Sequence, residues 1–161
     1  MSPASRIHVC RFACALGALL LQALPARAEN VQVTVLAVLA SDKDNVVAEK
    51  ISEIADAVRS KHKQLTHFTL HKTSQESVAL GKSVTIKLVD KVTMEVQVNE
   101  KPDSEGRITL TIKPPEMGEL TYACGCGKYF PVITDYYTAN KERLIIAVMA
   151  KPCFKGKDKK R

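Results

Sequence analysis

SVTIKLVDKVTMEVQVNEKPDSEGRITLTIK, residues 83–113, is the stretch on which the fold is read. Val84, Ile86 and Leu88, then Val92, Met94, Val96 and Val98, then Ile108, Leu110 and Ile112 alternate with Thr, Lys, Glu or Gln. In an extended strand every second side chain lands on the same face, so each run has one dry face and one wet face. Val89-Asp90-Lys91 and Lys101-Pro102-Asp103-Ser104-Glu105-Gly106 separate the runs with turn-forming residues. Connections this short join antiparallel neighbours, which predicts a meander.

Towards the N-terminus, Phe68 and Leu70 keep the same period, and Gly81-Lys82 supplies another turn. Further back the period changes. Val47, Ile51, Ile54 and Val58 recur at steps of four, three and four, one apolar stripe on a helix over residues 46–60. Asp44 or Asn45 suits its N-cap, and Asp42, Asp44, Glu49, Glu53 and Asp56 favour the positive end of its dipole or its wet side. VQVTVLAVLA, residues 31–40, starts with alternating valines and passes into continuous apolar residues, the pattern of a strand that becomes covered on both faces.

Towards the C-terminus, Pro114-Pro115 stops the meander and Gly118 lets it restart, with strands expected over 119–123, 129–134 and 143–150. The last, RLIIAVMA, is nearly all apolar and is expected to be central. The expected fold class is α+β: a mainly antiparallel meander sheet with one amphipathic helix packed on it, in a single strand-rich domain of residues 29–152.

Residues 1–28 read differently. Arg6, His8 and Arg11 precede an uncharged run from Phe12 to Leu24, and Pro25-Ala26-Arg27-Ala28 follows. That is the order of an export signal, with Ala26 and Ala28 meeting the small-residue requirement for cleavage after Ala28. The apolar run is shorter than the roughly 20 residues that span a bilayer, so a cleaved signal is expected rather than an anchor. The mature chain is then expected in the periplasm, the cell envelope or outside the cell.

The formal charge of +7 falls to +4 once Arg6, Arg11 and Arg27 leave with the signal. Residues 151–161 carry +5 of their own, so the folded body is about neutral. The basic balance belongs to a flexible tail, 153–161, suited to contact with an anionic surface, and gives no warrant for specific nucleic-acid binding.

The most distinctive segment is YACGCGKYFP, residues 122–131. Tyr122, Tyr129, Phe130, Tyr136 and Tyr137 gather there and just beyond, next to Cys124 and Cys126. Exposed aromatics at strand ends give large contact area at low entropic cost, so these five residues are the candidate interaction surface. Cys124, Cys126 and Cys153 are the only cysteines left after residue 28. Three readings are open for them: a structural disulfide from Cys153 to Cys124 or Cys126, a strained Cys124 to Cys126 bridge with a redox role, or a thiolate site for Cu or Zn.

Other chemistry-bearing residues have plain explanations. His67 and His71 lie in HFTLH, where four strand residues span about 13 Å, too far to chelate one ion. Gly81-Lys82-Ser83 matches the end of a phosphate-binding loop, but Glu76 stands where the first glycine is needed. No nucleophile-elbow or zinc-protease motif occurs in the sequence.

RITLTIKPP, GKYFPVIT and DYYTANKERLIIAVMAKP, within residues 107–152, resemble small uncharacterised exported bacterial domains and, more distantly, the closing hairpin of secretin-type domains. The resemblance implies an extracytoplasmic β-rich module and brings no catalytic motif. Secretin rings also need a long membrane-lining hairpin and further domains, for which this chain has no room. The expected function is a non-enzymatic binding or interaction module of the envelope, with a protein or glycan partner and no resident cofactor. The alternative is a thiol-dependent redox or metal-binding protein.

Overall fold

The computed structural model describes residues 30–125 and 127–151. The expected signal with its cleavage residue Ala28, Cys126, Cys153 and the basic residues beyond 153 lie outside the described residues. The rest is mostly antiparallel strand with one short helix, the α+β class that the periodicity predicts. The strands are β1 (Asn30–Ser41), β2 (His67–Ala79), β3 (Ser83–Lys87), β4 (Thr93–Val98), β5 (Ile108–Lys113), β6 (Leu120–Cys124), β7 (Phe130–Tyr137) and β8 (Arg143–Lys151). The helix, α1, is Ser52–Arg59, entered through a 3-10 turn at Glu49–Ile51.

Two four-stranded sheets form, in the orders β2-β1-β8-β7 and β3-β4-β5-β6. Of the meander expected from Phe68 to Ile112, the strands after Gly81 form the second sheet together with β6, whereas β2 belongs to the first. The first is built from both ends of the described chain, with β8 central, as its apolar content requires.

Alternation explains how the layers stack. Val33, Val35, Ala37 and Leu39 of β1, with Leu144, Ile146 and Val148 of β8, are buried against Met94, Val96, Val98, Ile108, Leu110 and Ile112 of the second sheet. The opposite face of the same two strands carries Leu36, Val38, Ala40, Ile145 and Ala147, buried with Ile51, Ile54, Ala55 and Val58 of the helical segment. The first sheet is therefore the middle of three layers. This is why β1 and β8 are apolar on both faces while β3, β4 and β5 alternate.

A bulge makes one strand serve both layers. Opposite β1, Ala37 faces Lys72 and Val38 faces Leu70, leaving His71 as the extra residue of β2. Without it, Phe68 and Val78 would share a face. With it, Val78 joins the inter-sheet core and Phe68 the helix-side core. Phe68 is fully buried, and truncation to Ala there costs on the order of 3–5 kcal/mol.

The helix begins later than the stripe predicts. Val47 forms an isolated parallel bridge with Phe68, and the Phe68 N–H donates to Val46 O at 2.8 Å. Val47 is thus drawn into a strand-like bridge instead of the helix. Ala48 and Ile51 take the cap positions expected for Asp44 or Asn45, with no side-chain cap bond. Asn45 instead accepts from Arg59 Nη2 at 2.8 Å. Arg59 also donates to Thr66 O at 2.6 Å and stands 5.2 Å from the Phe68 ring centroid, which ties the end of α1 to the loop leading into β2.

Two corners let the chain cross between sheets. At Gly81, φ +71°, it turns from β2 into β3, and the Gly81 N–H donates to Val98 O at 2.7 Å. Left-handed backbone favours glycine, which has no Cβ to clash. The second corner joins β6 to β7.

Candidate functional site

β6 and β7 are the outer strands of their sheets, joined through Gly125, Gly127 and Lys128. Gly127 adopts φ +68°, its N–H donates to Ala150 O at 3.3 Å, and the Lys128 N–H donates to Gly125 O at 3.1 Å. The glycine-rich stretch is thus a turn pinned to β8, and it sets the rings on either side of it.

Tyr122 on β6 and Phe130 on β7 stack across the corner, with centroids 4.2 Å apart and an interplanar angle of 22°. The stack has one half-buried partner and one open partner, for Phe130 is 43% exposed. Burial pushes the Tyr122 phenol well above its ordinary range.

Cys124, at the end of β6, is a free thiol only 2% exposed. Its Sγ lies 3.5 Å from Gly125 O and 3.6 Å from Lys128 O. Burial raises its pKa, and a backbone hydrogen bond from Ala150 draws it partly back. A buried thiol held neutral is a poor nucleophile. Among the described residues no group of three His, Cys, Asp or Glu side chains is placed to hold a metal ion.

On the helix side of β7, Tyr129 packs against the cluster that contains Ile54 and Val58. Gly127, Lys128, Tyr129 and Pro131 form one wall of a cleft of about 390 Å³, and Glu53, Ile54 and Ala57 of α1 form the other. It carries an acid, a base and an aromatic ring.

Tyr136 and Tyr137 belong elsewhere. Tyr136 donates to Asp90 Oδ2 at 3.4 Å, and Tyr137, 53% exposed, lies 5.6 Å from the Arg143 guanidinium. Phe130 and Tyr137 are the two end residues of β7, with six residues between them, and their partners Val148 and Arg143 are five steps apart on β8, roughly 17 Å. The five aromatics expected to make one surface therefore divide between the two ends of this strand.

An irregularity in β7 orients the far end. Between Ile133 and Tyr137 it takes four steps, where β8 takes two from Ile145 to Arg143. Thr134, fully buried, holds the excess in place: its Oγ1 donates to Leu144 O at 2.7 Å and accepts from the Tyr136 N–H at 3.3 Å. Arg143 Nε donates to Thr134 O at 2.7 Å, and its Nη2 pairs with Asp135 at 2.9 Å.

The acid and apolar residues that α1 brings to the cleft were read in the sequence only as a solvated face and a core stripe. Their contact with residues 127–131 is long-range, and no local signal announces it. Comparison of the chain with protein-family models, with curated proteins and with solved structures found no match.

Proposed function

We propose that this chain is an exported binding module of the cell envelope and that its contact surface is the β6–β7 corner with the adjoining cleft. The observation that carries the reading is Phe130, a large apolar ring left 43% exposed and braced by the Tyr122 ring 4.2 Å behind it. A ring already held in place loses little freedom when a partner covers it, which is how aromatic anchors contribute to recognition. On the opposite, helix-side face of β7, Tyr129 and Lys128 line the cleft and add a second ring and a charge. Flat rings with flanking polar groups suit a glycan or an extended protein segment. Among the described residues no helix is long and apolar enough to cross a membrane.

Co-sedimentation with isolated peptidoglycan, together with cross-linking to a detergent-extracted envelope fraction, tests the proposal. The protein is expected to bind one of the two, and Phe130→Ala is expected to weaken binding about tenfold, the loss of a central anchor. Undiminished binding by a folded Phe130→Ala variant would remove the corner as the surface. Failure to bind either material would remove the function.

A further inference from the structure

We propose that two copies of this chain pair antiparallel along β2, with the two-fold axis at Ser74. β2 is an outer strand of the first sheet, and its free side is taken only at Phe68, by the bridge to Val47; among the described residues no strand pairs with it beyond that point. The other three outer strands are poor templates. β3 and β6 have five residues each, and β7 carries Pro131 and the register irregularity. Short strands, proline and irregular register are the usual means of closing a sheet edge. β2 has 13 residues and no proline, and its only irregularity is the bulge at His71. From Lys72 to Ser77 all its side chains are exposed except the half-buried Ser74.

The sequence of this edge, KTSQE over residues 72–76, is complementary to itself when reversed. With the axis at Ser74, Lys72 faces the partner's Glu76, Glu76 faces the partner's Lys72, and Thr73 faces the partner's Gln75. An axis between two residues would oppose an outward-facing peptide to an inward-facing one, so only axes on a residue satisfy the ladder. Moving the axis to Thr73 sets Lys72 against Ser74 and Glu76 against Leu70. Moving it to Gln75 sets Lys72 against Val78. Among these three registers only Ser74 pairs the charges, and opposite charges facing across strands stabilise a pair while like charges disfavour it.

Both groups are available. Glu76 has no ion-pair partner among the described residues, and although Lys72 Nζ donates to Lys87 O at 2.9 Å, an ammonium has further donors to offer. Pairing would join the two first sheets into one of eight strands. It uses the side of the sandwich away from the β6–β7 corner, so it is independent of the binding proposal.

Sedimentation velocity on protein purified from expression of the full chain, from about 5 to about 500 µM, tests this at the strength expected of a small interface. A concentration-dependent dimer is expected. Lys72→Glu or Glu76→Lys alone should raise its dissociation constant about tenfold, and the double swap should restore it to within about threefold. Facing Cα atoms in such a ladder are about 4.5–5.5 Å apart, within disulfide reach, so Ser74→Cys should cross-link on mild oxidation and Ser77→Cys should not. A monomer at the highest concentration overturns the proposal. So does a dimer indifferent to the charge swaps, or one that cross-links through Ser77→Cys and not Ser74→Cys, provided circular dichroism shows the variants folded.

Discussion

Replacing Thr134 by Val tests whether one hydroxyl holds the irregular half of β7. Valine keeps the shape and the branched Cβ, so the fully buried site neither collapses nor overfills. The Oγ1–H bond to Leu144 O at 2.7 Å is lost, as is the weaker bond from the Tyr136 N–H at 3.3 Å. A net hydrogen bond contributes about 1 kcal/mol, and a buried group left without a partner costs about 1–3 kcal/mol. The extra buried methyl returns a fraction of that. The expected balance is a destabilisation of about 2 kcal/mol, which in a domain of this size lowers Tm by about 7 °C. Thermal and urea unfolding followed by circular dichroism read the change. Hydrogen exchange locates it: the Tyr136 amide should exchange about tenfold faster, while the amides of β1 change only as far as global stability does. A Thr134→Val protein within about 0.5 kcal/mol of the parent, with Tyr136 still protected, would refute the reasoning.

Arg59→Ala removes the donors to Asn45 and Thr66 and the guanidinium over Phe68, and should cost about 2 kcal/mol in chemical denaturation. Arg59→Lys should recover less than half of that, because an ammonium cannot reproduce the planar fork; full recovery would show that charge alone matters. Alkaline titration gives another check. Burial raises the pKa of Cys124 from an ordinary 9.0 and, with the nearby Cys124 charge, that of Tyr122 from 10.0. The unfolded chain therefore releases these protons before the folded chain does, so stability is full below pH 9 and declines as pH rises beyond it. Tm measured from neutral to alkaline pH should fall, and less steeply in Cys124→Ala; a rising Tm would contradict the burial of these groups.

Much of this architecture was legible because period-two alternation and turn residues are local signals. Residues 83–113 gave three strands and their turns, and the unbroken apolar run of β1 announced cover on both faces. What supplies that cover is not a local property. A dry strand face packs equally well on a helix or on a second sheet, so the division into two sheets at Gly81 and at the β6–β7 turn could not be read from alternation. The polar stretch Thr73–Ser77 has no period at all, yet it extends β2 because β1 provides the ladder. The stripe starts the helix too early because it includes Val47, whose backbone pairs with Phe68. Of the candidate site, the aromatic segment was found but its geometry was not. Neighbours in sequence are not neighbours in space along a strand, which carries them apart at about 3.3 Å per residue.

The pairing of β1 with β8 sets a condition on how the molecule is made. Gln32 faces Lys151 and Ala40 faces Arg143, so the middle of the molecule joins the earliest described segment to the last. A ribosome delivers β1 long before β8, and until β8 arrives the apolar faces of β1 lack one of their two flanking strands. Closing so long a loop is slow, and folds dominated by distant contacts reach the native state slowly. The first sheet therefore cannot be completed until residues 143–151 have been synthesised, whereas the consecutive strands of the second sheet carry no such delay.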